Sequence, residues 1–128
     1  YVLLYNERGL VIEYKEYLLN EDQERYLAFK SVYSYDDNGN EIGESEFSYS
    51  GLTGGLLLTG KSIYTYNSNN QMLSEEHLAF NDSDNSSHKY TYEYDGAGNL
   101  ITEYYTSDTT RLKYTHAYNV NNKPILEE

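Results

Sequence analysis

The chain has 128 residues, enough for one domain or one stack of repeats. With 9 Lys+Arg against 21 Asp+Glu its formal net charge is −12 and its isoelectric point about 4.5, which argues against nucleic acid or an anionic membrane surface as partner. Cysteine is absent, removing disulfides, thiolate metal sites and cysteine nucleophiles; apolar stretches are short, as in Leu56-Leu57-Leu58, and none approaches the ~18 residues of a membrane span.

In chain order, residues 2–5 read as a first strand that ends in Tyr5-Asn6-Glu7-Arg8-Gly9. The opening at Tyr1, with neither Met nor a signal-peptide pattern, has the look of a trimmed segment. Residues 10–19 and 25–35 follow as strands around the polar turn Asn20-Glu21-Asp22-Gln23. Tyr35-Asp36-Asp37-Asn38-Gly39-Asn40 then repeats the first turn, and strands over 41–49 and 56–66 flank Ser50-Gly51-Leu52-Thr53-Gly54-Gly55. The frame returns at Tyr66, strands 71–80 and 88–94 enclose the acidic loop 81–87, and Tyr94-Asp95-Gly96-Ala97-Gly98-Asn99 carries the fourth copy. Strands over 99–106, 111–118 and 123–127 complete the pattern around a fifth copy at Tyr118. The fold class this predicts is all-β, an antiparallel up-and-down meander of about ten strands in one domain, 1–128.

Counting each anchor tyrosine as position 0, position +1 is Asn6, Asp36, Asn67, Asp95 and Asn119, and position +4 is Gly9, Gly39, Asn70, Gly98 and Asn122. Asx side chains bond turn backbone, and Gly or Asn tolerates positive φ, so each copy predicts a type I turn closed by a G1 bulge. Position +7 is Ile12, Ile42, Leu73, Ile101 and Ile125, and position +9 is Tyr14, Glu44, Glu75, Glu103 and Glu127. If the tyrosines at 0 and −2 share a face with the +7 aliphatics, −2 opposes +7, pairing Tyr33 with Ile42 and Tyr92 with Ile101. On that register −4 opposes +9, placing Ser62 beside Glu75.

Tyr33-x-Tyr35-Asp36-x-x-Gly39-Asn40 and Tyr92-x-Tyr94-Asp95-x-x-Gly98-Asn99-Leu100 resemble the YD repeats of the RHS family. That family includes bacterial RHS proteins, shell components of toxin complexes and teneurins, with looser kin among exported bacterial, Bacteroidetes-type repeat proteins. The resemblance implies a β-hairpin spiral used as a wall or adhesive surface, a secreted or cell-surface address, and no catalytic residues in the repeat.

The 17 tyrosines have two readings. They pack the sheet as cross-strand aromatic pairs, or Tyr35, Tyr66, Tyr94 and Tyr118 offer stacking faces to a carbohydrate. Asp82 and Asp84 supply oxygens of the kind Ca²⁺ takes, but their loop lacks the glycine and terminal glutamate of an EF-hand, so a plain acidic turn is the stronger reading. His77, His88 and His116 show no zinc spacing. No P-loop, Rossmann or GxSxG pattern occurs, so no cofactor and no enzymatic activity are expected. The expected role is a structural or interaction module that meets a protein partner or a second copy through a sheet edge, Tyr1–Tyr5 being uncharged; a carbohydrate-binding module is the alternative.

Overall fold

A computed structural model describes residues 1–80, 85–119, 121 and 123–125. Nine strands form one sheet in sequence order: β1 (Val2–Tyr5), β2 (Val11–Leu19), β3 (Arg25–Tyr35), β4 (Glu41–Ser50), β5 (Gly55–Tyr66), β6 (Met72–Ala79), β7 (Ser86–Tyr94), β8 (Leu100–Ser107) and β9 (Arg111–Thr115). Each pairs antiparallel with the next, so the all-β meander is as expected, with no helix among the described residues. The tenth strand expected over 123–127 is reduced to a single bridge between Tyr118 and Pro124; residues 126 and 127 lie outside the described residues.

The motif turns match the reading of +1 and +4. In the second copy the Gly39 amide donates to the Asp36 carbonyl (3.0 Å), the Asp36 amide donates to the Asn40 carbonyl (2.9 Å), and Asp36 Oδ1 accepts from the amides of Asn38 and Asn40. Position +4 has positive φ in the four described copies, at Gly9 (76°), Gly39 (90°), Asn70 (61°) and Gly98 (87°); Asn122 lies outside the described residues. A side-chain pair between +1 and +5 locks the turn: Asn40 Nδ2 donates to Asp36 Oδ2 and Asn67 Nδ2 donates to Gln71 Oε1, both at 2.9 Å. Asn20 builds the same turn at the opposite end of the sheet, with Gln23 at φ 63° and the Glu24 amide donating to Asn20 Oδ1 (2.8 Å).

The expected register is corrected. Ser34 opposes Gly43 and Tyr35 opposes Glu41, which leaves Ile42 as the extra residue of a second bulge. The same shift singles out Ile12, Leu73 and Ile101. Position −2 therefore faces +9, in the pairs Tyr33–Glu44, Tyr64–Glu75 and Tyr92–Glu103, and −4 does not. These aliphatics at +7 face no tyrosine across the ladder; Ile12 (36%), Ile42 and Leu73 (38% each) are exposed, and Ile101 is half-buried.

This second bulge joins one hairpin to the next. Ladder pairing between β2 and β3 stops at Glu13–Val32, and that between β6 and β7 at Ser74–Thr91, so the hairpin tips part beyond those points. The anchor tyrosines cross the gap: Tyr35 Oη donates to the Val11 carbonyl (2.7 Å) and Tyr94 Oη to the Met72 carbonyl (2.8 Å). Both carbonyls belong to position +6 of the preceding hairpin, where the bulge breaks the ladder. Turn-to-turn bonds reinforce the row: Arg8 Nη1 donates to the Asp37 carbonyl (2.9 Å), Asn40 Nδ2 to Asn70 Oδ1 (2.9 Å) and Gln71 Nε2 to the Gly98 carbonyl (2.9 Å).

The sheet is one layer thick. Among the described residues no apolar side chain is fully buried, and the buried polar ones are Ser31 (1% exposed) and Thr102 (6%). Removing a staple hydroxyl should accordingly be felt. Tyr35→Phe and Tyr94→Phe should each lower stability by about 1 kcal/mol, while Tyr5→Phe, on the edge strand and 56% exposed, should change little; urea titration of the three variants checks the ranking.

The turns make a separate prediction in acid. The Asn40 amide holds the Asp36 carboxyl below the ordinary carboxylate range, and the Asn99 amide does the same for Asp95. A carboxyl lowered on folding adds stability above its unfolded pKa and loses it as pH falls through the folded value. Stability of the native chain should therefore drop on acidification below about pH 4, and the double variant Asp36→Ala, Asp95→Ala should show a shallower drop from a lower starting point. Thermal melts between pH 7 and pH 2 measure both.

Candidate functional site

Side chains alternate between the faces of a sheet, so the observed register assigns each strand residue a side. One face carries Tyr33, Glu44, Tyr64, Glu75, Tyr92 and Glu103 at the −2 and +9 positions. Farther from the motif turns it continues through Ser62 opposite His77, His77 opposite His88, and Tyr90 opposite Tyr105. The other face carries Glu13, Lys15, Val32, Lys61, Ile63 and Lys89.

On the first face the rings of β5 to β8 form a continuous strip. Tyr64 meets His77 edge-on at 6.0 Å, His77 stacks on His88 at 4.9 Å with a 28° interplanar angle, and His88 meets Tyr90 edge-on at 6.1 Å. Tyr90 lies 4.9 Å from Tyr105 and stacks on Tyr92 at 6.5 Å. Glu75 sits among them. Tyr92 Oη donates to Glu75 Oε1, His77 Nε2 lies 3.4 Å from Glu75 Oε2, and His77 Nδ1 shares a hydrogen bond with Ser62 Oγ (3.0 Å).

Burial, then the Glu75 carboxylate, pushes the Tyr92 hydroxyl well above its ordinary pKa. Burial, then Glu44, raises the Glu41 carboxyl. Burial first, and neighbouring carboxylates after it, raise Tyr33, Tyr35, Tyr64, Tyr66 and Tyr90 as well.

The residues singled out from sequence fall elsewhere. Tyr35, Tyr66 and Tyr94 are half-buried in the row beneath the motif turns, and the hydroxyls of Tyr35 and Tyr94 are committed to backbone. Tyr118 is half-buried at its bridge to Pro124, and Asp82 and Asp84 lie outside the described residues. Of the histidines, which show no zinc spacing, His77 and His88 are cross-strand partners and His116 is exposed. The expected loop 81–87 hid that pair, since its centre at 84 lies seven residues from His77 and four from His88. Among the described residues, no group of three His, Asp or Glu side chains is placed to hold a metal ion. At the end of the sheet away from the motif turns, Tyr49, Leu57, Leu58 and Phe80 line an open apolar groove.

No family model matches the chain, and neither does any curated protein. Solved structures do. A Bacteroides fragilis protein of unknown function is 19% identical over 99% of this chain and 89% of its own, with a TM-score of 0.53. A DUF3836 family protein from Parabacteroides distasonis is 16% identical over 79% of this chain and 91% of its own, at TM-score 0.45. A chain of a TcdB2–TccC3–Cdc42 structure is 15% identical over 96% of this chain and 9% of its own, at TM-score 0.43. At these identities the first likeness shows a shared fold.

Proposed function

We propose that the chain is a non-catalytic structural or interaction module, a YD/RHS-type hairpin array of an exported bacterial protein that presents its sheet to a partner or to a second copy. One observation carries this reading: the described sheet is a single layer with no fully buried apolar side chain, and no described residue covers either face or pairs with the outer edge of β1 or β9. A domain ordinarily buries one face of a sheet against a second layer. The Tyr-Asp and Gly-Asn turns and the likeness to a Bacteroides fragilis protein of unknown function support the family part of the proposal.

The two edges differ. β9 carries Arg111 and Lys113, charges of the kind that discourage strand addition, whereas β1 is Val2-Leu3-Leu4-Tyr5 with none. Edge pairing belongs to β1. The carbohydrate-binding alternative draws on the ring strip around Tyr90 and Tyr105. Light scattering across a concentration series should show association of the native chain, and Leu4→Lys should abolish it. A native chain that stays monomeric, with β1 amides exchanging freely, would remove the edge from the proposal. Glycan-array binding lost in Tyr90→Ala, Tyr105→Ala would replace the interaction reading with the sugar-binding one.

A further inference from the structure

Charge is sorted between the two faces of the sheet. The observed register puts every strand cation, Lys15, Arg25, Lys30, Lys61, Lys89, Arg111 and Lys113, on the face opposite the ring strip. There they meet Glu13, Glu76 and Glu93: Lys30 and Lys15 close on Glu13, and Lys89 Nζ lies 3.8 Å from Glu76. The ring face carries the other strand acids, Glu16, Glu41, Glu44, Glu46, Glu75 and Glu103, and no strand lysine or arginine. Glu16 and Glu75 accept tyrosine hydroxyls and Glu75 also lies 3.4 Å from His77, but among the described residues no lysine or arginine pairs with any of the six.

The layout also says what kind of cation fits. Glu44, Glu75 and Glu103 stand on β4, β6 and β8, so neighbours are separated by two strand spacings, at least about 9.5 Å. Among the described residues no three His, Asp or Glu side chains converge as a metal site would need. A chain bearing several separate cations could span the three carboxylates. Tyrosine-bearing strands alternate with these acidic ones, with Tyr64 on β5 and Tyr90 and Tyr92 on β7, so a cation seated on a carboxylate has rings beside it. The protein makes this contact itself, with Arg25 3.9 Å over the Tyr17 ring and Lys113 5.3 Å over Tyr104.

We infer that the ring face is the docking surface for a basic protein segment, whose lysine or arginine heads settle on Glu44, Glu75 and Glu103 while their stems cover the neighbouring tyrosines. This rests on the interaction-module reading and names its partner by charge. The opposing electrostatics would speed encounter and make it sensitive to ionic strength.

Fluorescence anisotropy with a labelled deca-arginine peptide tests it on the full chain, against two triple variants that remove the same formal charge. Glu44→Gln, Glu75→Gln, Glu103→Gln should weaken binding at least tenfold. Glu7→Gln, Glu21→Gln, Glu93→Gln, which leaves the ring face intact, should stay within about twofold of native. Circular dichroism melts establish that both variants fold; should the first not fold, the single variants Glu44→Gln and Glu103→Gln take its place, each expected to weaken binding about threefold. Equal losses in the two triples would show attraction to bulk charge and overturn the inference, as would absence of binding in low salt, or displacement of the peptide by a neutral oligosaccharide. Self-association is read separately by light scattering, so failure of the β1 edge and failure of this face are distinguishable.

Discussion

The arrangement turns on one hydrogen bond: a tyrosine hydroxyl of one hairpin donating to a carbonyl of the hairpin before it. A hairpin alone is marginal in water, and this chain offers little apolar surface to bury. The bulge opposite the anchor tyrosine breaks the ladder, exposing a carbonyl at the place where neighbouring hairpin tips part. Tyr35 and Tyr94 fill that gap with a ring and satisfy the carbonyl with a hydroxyl. Phenylalanine would supply only the first of these. The demand for both is a physical reason for tyrosine over phenylalanine at these two anchors.

Glycine at +4 answers the turn's demand for positive φ, and at Gly39 and Gly98, though not at Gly9, the neighbouring turn also comes close. A Cβ on Gly39 would stand 3.1 Å from Arg8 Nη2, and one on Gly98 would stand 3.2 Å from Gln71 Nε2. Gly60 marks a different close approach, since a Cβ there would meet the Glu46 carboxylate at 2.6 Å. Removing that side chain lets Glu46 lie over the backbone of the next strand, on the face where the acids collect.

Much of this was legible in the sequence, because turn chemistry is local. Asn6, Asp36, Asn67 and Asp95 announce the hairpins, and Gly or Asn three residues later fixes their geometry. The register was not legible. Alternation in the sequence counts residues, and a bulge adds one without a residue type of its own; Ile42 looks like any strand aliphatic. The Asn20 turn was read as polar but its type was hidden, since Gln23 occupies a position where glycine or asparagine is the usual sign. The sorting of charge was partly legible, because Lys61 and Lys89 stand three residues from Tyr64 and Tyr92 on their own strands and so take the opposite face.

A sheet whose strands pair only with their neighbours in sequence is also a one-dimensional object. With the described strands running β1 to β9 in order, no closing contact ties one end of the sheet to the other. Stability then becomes a sum of hairpin terms and junction terms, as in other repeat arrays. A lesion at one tyrosine junction would divide the array into two shorter ones, each keeping its own turns, instead of melting the whole at once. Such a protein can grow or lose a hairpin at either end without redesign of what remains.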